Sequence, residues 1–519
     1  MSIDPNTPVL LGAGQFTERL DDQFEGLMPE DLAARACEAA LADTGAAESL
    51  SPLIDRLACV RMFAHSVPDF IVPVIAPFGR SSSPPLSILS RLALPNAAAI
   101  YSRACGDEPQ RLVFELGDAL VRGEINGAII CGAEALATSR QLQRQGLSVD
   151  WSDEPEGDTD DRGACTELLF DAELNRHGAW NPVDIYPLQE QVRRSELGLS
   201  KSVYRSLLAE LMARFNAVAA ANSYAMFGDV MTAAEIGEES GKNRLMGDPH
   251  LKSMVAKDGV NQASALVLTR WETAQALDVA ERAIFLHGHG TGTEPQVLNR
   301  RSIGQSEAME AAYRNALAGA GIEAEQIGAA DLYSCFPIAV WVAMDALGMS
   351  LDDPRPLTLT GGLPFFGGPG NNYSTHGIAE MVHWLRAQSA PSYGIVGANG
   401  GYLSKHAVGI YANIPAEFPE AVPEFKAPEV VEVVSDPEPD GVIESYTFQP
   451  QKGTARAVVV GRQLSDGRRW VAVADPEDGE LLDWFKQADP LGEQVVVTAG
   501  ERNIVRRRAE PKEINLSEK

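Results

Sequence analysis

The amino-acid sequence predicts a layered α/β fold followed by a small antiparallel β-barrel domain. Over residues 1–413, short apolar runs alternate with segments of helical apolar spacing, which is typical of sheets covered by helices. Residues 414–440 are rich in Pro and Glu, as linkers are. Short β-rich runs separated by turns fill 441–510 and favour a small barrel or sandwich. We expect 511–519 to be a disordered tail.

The elements of the first part follow one another in a regular order. The apolar runs that predict buried strands are PVLLGAG (8–14), NGAIICGAEAL (126–136), SALVLTR (264–270), AIFLHGHG (283–290), AADLYSCF (329–336), YGIVGANGG (393–401) and HAVGIYA (406–412). Helical spacing predicts helices at 31–45, 111–124, 306–322, 338–349 and 376–388. A helix, a strand and a glycine turn occur in this order near 111–135 and again near 376–401, which indicates two related halves.

Residues 139–258 interrupt this alternation. They are polar, contain the acidic stretch WSDEPEGDTDDRG (151–163) and include a long helical pattern at 202–227. We interpret them as an excursion that packs over the core and takes no part in a sheet.

Composition and charge exclude several classes of protein. The sequence contains no apolar run of about 18 residues, so we predict no membrane span. The net charge of −29 argues against nucleic acid as the main partner. No CxxC pair occurs, so we expect free thiols in a reducing cytoplasm. The six cysteines are Cys37, Cys59, Cys105, Cys131, Cys165 and Cys335.

Four motifs carry a family resemblance. They are the glycine frame Gly361-Gly362-LPFF-Gly367-Gly368-Pro369, the tetrad YSCF at 333–336, GANGGY at 397–402 and VNQASALVLT at 260–269. In these motifs residues 1–412 resemble the thiolase superfamily and are most similar to its thiolase-like protein type 1 group. Gly368 stands where the family has a histidine, and Tyr333 stands where it has Asn or His. The second catalytic cysteine of the family's CxGGG loop is absent.

The resemblance implies a fold, a ligand and an assembly. The thiolase fold has two related αβαβα halves with a loop domain over them. Its enzymes act on coenzyme A thioesters as acyltransferases, so we expect acyl-CoA as substrate or ligand and no tightly bound cofactor. The C-terminal part resembles the additional domain of type 1 thiolase-like proteins. If this domain covers the surface by which thiolases dimerise, a monomer is favoured.

Cys105 is the candidate nucleophile. It lies in YSRACGDEPQ, just before a predicted helix, at the place of the family's catalytic cysteine. A helix N-terminus and a nearby imidazole stabilise a thiolate. Counted back from Gly123, however, Gly106 takes the family position. The alternative is that Cys105 is a small apolar residue in a packed turn.

The remaining site candidates come from the other motifs. His376, eight residues after Gly368, is the substitute general base. Cys335 could be the second thiol, and Tyr333 could donate a hydrogen bond to an oxyanion. The candidates for binding the substrate through backbone or amide groups are Gly106, Asn371, Asn372, Gly400 and Gly401. Asn371 and Asn372 could equally cap a helix.

Two further patterns concern charged ligands. His287 and His289 alternate on a predicted strand but lack a third ligand at a telling spacing, so we predict no metal site. The phosphates of coenzyme A need positive charge. The basic residues of the excursion that could supply it are Arg140, Arg144, Arg193, Arg194, Lys201 and Arg205.

Two functions therefore stay open. The first is an acyltransferase, similar to acetyl-CoA acetyltransferase but with degenerate motifs, in which Cys105 is acylated. The second is a non-catalytic protein that binds acyl-CoA or a partner on a thiolase scaffold. Accessibility and pKa of the Cys105 thiol distinguish the two.

Overall fold

The computed structural model of the protein describes residues 3–21, 24–164, 170–420, 422–450 and 455–508. Its α-helices are α1 Pro29–Asp43, α2 Ala47–Leu50, α3 Val72–Ile75, α4 Pro84–Leu89, α5 Glu108–Val121, α6 Leu136–Gln145, α7 Ala172–Arg176, α8 Pro182–Glu196, α9 Lys201–Ala221, α10 Ala233–Gly237, α11 Trp271–Ala276, α12 Glu307–Ala320, α13 Pro337–Ala346, α14 Tyr373–Arg386 and α15 Gly479–Gln487. Its strands are β1 Pro8–Thr17, β2 Arg56–Cys59, β3 Ala98–Tyr101, β4 Gly127–Ala135, β5 Thr159–Asp161, β6 Leu245–Gly247, β7 His250–Leu251, β8 Asn261–Arg270, β9 Ile284–Thr293, β10 Ile327–Asp331, β11 Tyr393–Gly400, β12 Lys405–Ala412, β13 Phe425–Lys426, β14 Asp440–Pro450, β15 Ala455–Gln463, β16 Arg469–Ala474, β17 Gln494–Thr498 and β18 Ile504–Arg507.

The first twelve strands, apart from the small β6–β7 ribbon, join in one sheet that consists of two half-sheets, β5-β3-β2-β4-β8-β1 and β9-β12-β11-β10. Strand β1 pairs with β8 along its whole length but with β9 only at Val9 and Leu10. Helices α5 and α14 pack in one apolar cluster with strands of both halves. Helix α1 covers the outer face of the first half, and α12 covers that of the second. The predicted αβαβα layering is therefore confirmed.

Two sequence predictions about this core were wrong. Strand β10 ends at Asp331, so the YSCF tetrad lies in a loop before α13. Beyond Asp331 the chain no longer pairs with β11, and the Leu332 N–H donates to the Leu357 carbonyl instead. The excursion also reaches the sheet, because β5 extends it by pairing in parallel with β3.

The predicted C-terminal barrel is confirmed. Its strands close in the order β14-β15-β16-β18-β17, and α15 connects β16 to β17. One pair departs from the predicted antiparallel arrangement, because β16 and β18 pair in parallel. The chain between β16 and β18 runs through α15 and β17, and parallel strands need a long connection of this kind. The predicted tail at 511–519 lies outside the described residues.

The barrel and the second half of the core share one hydrophobic cluster. Its buried residues come from α8, α9 and α13 on one side and from β14, β15 and β16 on the other. The predicted linker is also anchored, since β13 pairs with β9. No helix in the described parts of the chain is long and apolar enough to cross a membrane.

Candidate functional site

Cys105 lies in the loop between β3 and α5, where the helix begins with Glu108 and has Pro109 in its first turn. The predicted helix entry is confirmed, and Pro at this position suits a first turn. The residue is buried, with 7% of its surface exposed. It packs against Gly400, where an added Cβ would lie 2.1 Å from Sγ of Cys105. Glycine at 400 is therefore needed for the close approach of the two loops.

The charges around Cys105 disfavour a thiolate. Burial and the neighbouring Asp107 carboxylate raise the pKa of the Cys105 thiol well above its usual value, although Lys405 lowers it in part. Burial would also raise the pKa of Asp107, but the Arg111 guanidinium outweighs it and keeps that pKa below its usual value. Arg111 donates to both Asp107 and Glu424. A carboxylate that stays ionised at pH 7 thus lies beside the thiol.

Tyr333 and Cys335 join Cys105 in one cluster. An added Cβ at Gly106 would lie 2.8 Å from the Tyr333 hydroxyl and 2.4 Å from the Asn399 carbonyl oxygen. The Asn399 amide nitrogen lies 3.8 Å from Sγ of Cys335. Burial raises the pKa of Cys335 to about 11 and the pKa of Tyr333 well above its usual value. Both side chains are therefore neutral hydrogen-bonding groups at pH 7.

The turn between β11 and β12 forms one wall of this cluster. The Tyr186 hydroxyl donates to the Gly401 carbonyl at 2.8 Å, and the Gln189 amide donates to the Tyr402 carbonyl at 3.0 Å. Gly400 and Gly401 thus lie in the cluster, as the sequence predicts. Their assignment to substrate binding stays a prediction.

His376 lies on another face of α14. Its Nδ1 hydrogen bonds with Gln15 at 2.7 Å, and its ring packs edge-on against Phe366. Burial lowers the pKa of His376 to about 3. The helix reaches the Cys105 loop through Ser374, whose hydroxyl donates to the Gly106 carbonyl at 3.3 Å. At 3.6 residues per turn, His376 points about 200° away from Ser374, which separates it from the thiol it was expected to activate.

Asn371 and Asn372 hold backbone of neighbouring segments. The Asn371 amide donates to the Arg61 carbonyl at 2.7 Å, and the Asn372 amide donates to the Gly132 carbonyl at 2.8 Å. An added Cβ at Gly132 would lie 2.4 Å from the Asn372 side chain. Through these contacts, both residues connect the start of α14 to the first half-sheet.

The glycine at the position of the family's histidine has an ordinary backbone. Gly361, Gly362 and Gly367 have φ values of 106°, 81° and 128°, which favour glycine. Gly368 is not among the positive-φ residues, and an added Cβ would lie 3.3 Å from the Lys257 carbonyl oxygen. The turn thus needs its other glycines, whereas position 368 could carry a side chain after a small adjustment.

Sequence reasoning missed four residues of the cluster. Asp107 and Glu108 lie directly after the candidate cysteine, and Asn399 interrupts the glycines of GANGGY, so each had a local signal. Burial raises the pKa of Glu108 to about 7, within the range of a general acid or base. Tyr186 comes from the excursion and had no local signal.

A basic pocket of about 430 Å³ lies beside this cluster. Its lining includes Lys242, Lys252 and Lys257, together with the acids Glu235 and Glu238; we call it the lysine pocket. Burial and the neighbouring charge of Lys252 lower the pKa of Lys257 to about 8.

Backbone hydrogen bonds connect the lysine pocket to the glycine frame at 361–369 and to the YSCF tetrad at 333–336. The Lys257 carbonyl accepts from the Gly368 N–H at 2.8 Å, and the adjacent Ala256 N–H donates to the Cys335 carbonyl at 3.0 Å. The pocket thus opens within a residue or two of the glycine frame and the cysteine cluster.

Most basic residues singled out from the excursion are engaged elsewhere. Arg193 pairs with Asp345, Arg194 with Asp489, Arg140 with Asp258, and Lys201 and Arg205 with Asp248. Arg144 lines a second open pocket together with Arg19 and Arg140. The sequence could not distinguish these structural ion pairs from ligand contacts.

The histidines of the HGHG motif have packing partners. The His287 ring nitrogen hydrogen bonds with the Ile414 carbonyl, and His289 stacks on Phe114 at 4.4 Å. In the part of the chain that the structure describes, no three His, Cys, Asp or Glu side chains are grouped as metal ligands would be.

Comparison with known proteins places the chain in a family. The family model of the thiolase-like protein type 1 additional C-terminal domain matches residues 417–502. A crystal structure described as a monomeric SCP2-thiolase-like protein type 1 from Mycobacterium smegmatis is 34% identical, covers 98% of this chain and 100% of its own, and superposes with a TM-score of 0.80. The chain belongs to the SCP2-thiolase-like protein type 1 family.

More distant structures share the fold of this SCP2-thiolase-like type 1 protein. An Ltp2–ChsH2(DUF35) aldolase is 17% identical, covering 79% of this chain and 98% of its own with a TM-score of 0.56. An acetyl-CoA acetyltransferase from Syntrophomonas wolfei is 14% identical, and the match covers 79% of this chain and 100% of that protein with a TM-score of 0.54. No curated protein matches the chain. One fold thus carries two different reactions, and the site must decide the function.

Proposed function

We propose that this protein binds acyl-CoA thioesters without forming a thioester on Cys105. The observation that carries the proposal is the contact of the Cys105 thiol with the Asp107 carboxylate, in the place where a nucleophilic cysteine needs a cation. An unactivated thiol can still pack against a bound thioester. This favours the second of the two functions that the sequence left open.

The lysine pocket supports the choice of ligand. Coenzyme A combines phosphates with a long arm that ends in the thioester. Lys252 and Lys257 are close enough for the charge of one to lower the pKa of the other, which is an arrangement that a bound phosphate stabilises. Because Ala256 is hydrogen-bonded to Cys335, phosphates in this pocket would leave the arm directed towards the cysteine cluster.

The acyltransferase is the second candidate, and one observation favours it. Cys105, Cys335 and the glycine turn at 400–401 lie together at the entry of α5. The buried Glu108 carboxyl, whose pKa is about 7, lies next to this entry and could take a proton. On this hypothesis, Sγ of Cys105 attacks the thioester carbonyl, and the thiol of coenzyme A leaves with the proton.

Calorimetry and mass spectrometry on the same samples test both functions. The protein is titrated with acetyl-CoA and with longer acyl-CoAs, and its intact mass is measured after incubation, beside a Cys105→Ala variant. We expect binding heat, an unchanged protein mass, and loss of the heat in a Lys252→Met/Lys257→Met double variant. Lys426→Met, on β13, is the matched control and should bind normally.

The other outcomes are equally informative. An acyl adduct that disappears in Cys105→Ala would replace the binding proposal by the acyltransferase. An absence of heat with every chain length would reject acyl-CoA as the ligand.

A further inference from the structure

We propose that the C-terminal barrel positions the turn at residues 400–404 over Cys105 through two successive buried arginines, Arg469 and Arg300. The proposal deepens the proposed function, because this turn is a wall of the candidate thioester site. It also gives the additional C-terminal domain a role, since it makes the geometry of the site depend on the barrel.

The turn needs support from outside itself. Gly401 has a φ of 66°, and Leu403, which has a side chain, has a φ of 51°. A non-glycine residue in this left-handed region is disfavoured and persists where the surrounding structure holds it. Leu403 is completely buried, so its surroundings can do so.

Arg300 is the first link. Its guanidinium donates to the Tyr402 carbonyl at 3.0 Å, the Ser404 hydroxyl at 3.0 Å and the Pro295 carbonyl at 3.1 Å. The side chain is 2% exposed. Two carbonyls of the turn also accept from neighbouring groups, since Gln189 donates to the Tyr402 carbonyl and Tyr186 donates to the Gly401 carbonyl. Arg300 thereby ties the turn to the segment 295–300.

Arg469 is the second link, and it comes from strand β16 of the barrel. Its guanidinium donates to the carbonyls of Leu298, Arg300 and Arg301. It also pairs with Glu444 of β14 at 2.8 Å and has no exposed surface. Without this guanidinium, several buried carbonyls would lose their donor, which is costly in a dry interior. The barrel therefore holds the segment that holds the turn.

A second route from the barrel ends at the same turn. Arg456 of β15 and Gln449 of β14 bind the Asp184 carboxylate at 2.5 and 2.6 Å, in the first turn of α8. Two residues further along α8, Tyr186 donates to the Gly401 carbonyl. The convergence of both routes on one five-residue turn is what distinguishes these contacts from general domain packing.

The barrel also has a contact that serves as a matched control. Arg194, at the other end of α8, is 1% exposed and pairs with Asp489 of the barrel at 2.6 Å. Its remaining hydrogen bonds go to Gln191 and Leu199. Breaking this pair leaves a buried arginine without its carboxylate, so it destabilises the same interface without touching the turn.

The test compares full-length Arg469→Met with Asp489→Asn. The rate of Cys105 alkylation by iodoacetamide is measured at pH 8 by peptide mass spectrometry, together with the thermal midpoint. We expect at least an about ten-fold faster reaction of Cys105 in Arg469→Met, because the turn opens locally. Asp489→Asn should stay within about two-fold of the wild type. Cys131, which is fully buried in the first half of the core, is the internal reference for global unfolding.

Two further variants keep the proposal testable if Arg469→Met folds poorly. Tyr186→Phe removes the hydroxyl that donates to the Gly401 carbonyl and accepts from the Leu403 N–H, and we expect it also to accelerate alkylation of Cys105. Arg469→Lys keeps the charge but reaches fewer carbonyls, so we expect a rate between those of the wild type and Arg469→Met. In the faster variants the alkylation should also begin at lower pH, because a hydrated thiol has a lower pKa.

The proposal fails if Cys105 is alkylated equally fast in Arg469→Met and Asp489→Asn. It also fails if the alkylation rate of Cys131 rises together with that of Cys105. The alkylation assay contains no coenzyme A. If the wild type binds no acyl-CoA, the proposed function is rejected while the result for the turn stands. If it does bind, Arg469→Met should weaken the affinity more than Asp489→Asn.

Discussion

At the residue scale, the side chain next to Cys105 decides what the thiol can do. A reactive cysteine needs a nearby cation or a helix N-terminus. Cys105 lies at the N-terminus of α5, but the Asp107 carboxylate lies beside its thiol. The Arg111 guanidinium does not compensate, because it pairs with Asp107 and Glu424. Burial and the Asp107 carboxylate together disfavour the thiolate that a thiolase-like nucleophile needs.

Replacing Asp107 by Asn should lower the pKa of Cys105. The carboxylate disfavours the thiolate, so its removal, with Arg111 still in place, stabilises the charged form. We expect the pH profile of Cys105 alkylation to move towards lower pH. Asp118→Asn, on the same helix, is the control, and an unchanged profile in Asp107→Asn would contradict the electrostatic explanation.

The close contact of Gly400 with Cys105 predicts a coupled pair of mutations. Gly400→Ala places a Cβ 2.1 Å from Sγ of Cys105, and overpacking of this kind costs about 1–3 kcal/mol of unfolding free energy. The double variant Cys105→Ala/Gly400→Ala should recover part of this loss, as measured by urea denaturation, because the added Cβ would still lie 2.7 Å from Oδ1 of Asp107. Additive effects of the two changes would show that the loops do not touch as described.

At the scale of elements, the predicted strands and helices were confirmed where their periodicity was strong. Helices α1, α5, α12, α13 and α14 begin and end within a few residues of the predicted bounds. The prediction failed for β10, where an apolar run continues beyond the strand, and for β5, where a polar triplet joins the sheet. In both cases tertiary contacts overruled the local pattern.

Lys257 of the lysine pocket predicts a pH-dependent affinity for coenzyme A. Because the pKa of Lys257 is lowered to about 8, its ammonium is present below this pH and lost above it. We expect the calorimetric affinity for coenzyme A to fall as the pH rises through about 8. Lys257→Met should bind more weakly at pH 7 and lose this dependence, and a wild-type affinity that is flat from pH 6.5 to 9 would contradict the assignment.

At the scale of the whole molecule, the barrel is part of the core. Its strands share one hydrophobic cluster with α8, α9 and α13, and buried arginines cross the boundary. The sequence predicted a separate domain after a linker, since Pro and Glu mark the junction. It could not show how much apolar surface the two sides bury together.

This shared core predicts a single unfolding transition. Removing the barrel would expose apolar surface of α8 and α9, so neither part should stay folded when the other unfolds. Calorimetry of the full chain should give equal calorimetric and van't Hoff enthalpies. Two resolved transitions would show that the barrel folds independently.

The edge of the first half-sheet predicts the assembly state. Strand β5 covers β3 and leaves only a three-residue strand at this edge, and short or covered edges resist pairing with a second chain. We expect light scattering after gel filtration to give the mass of one chain. Twice that mass would show that another surface mediates a dimer.

The sequence by itself determined the order of the elements, the glycine turns and the family, because periodicity and glycine spacing are properties of neighbouring residues. Only the tertiary structure decided the contents of the site. Tyr186 arrives from the excursion and Asn399 from another strand, while His376 turns towards Gln15 because helix packing sets which face of α14 meets the Cys105 loop. The closeness of the lysine pocket to the cysteine cluster depends on contacts between remote segments, which no local pattern records.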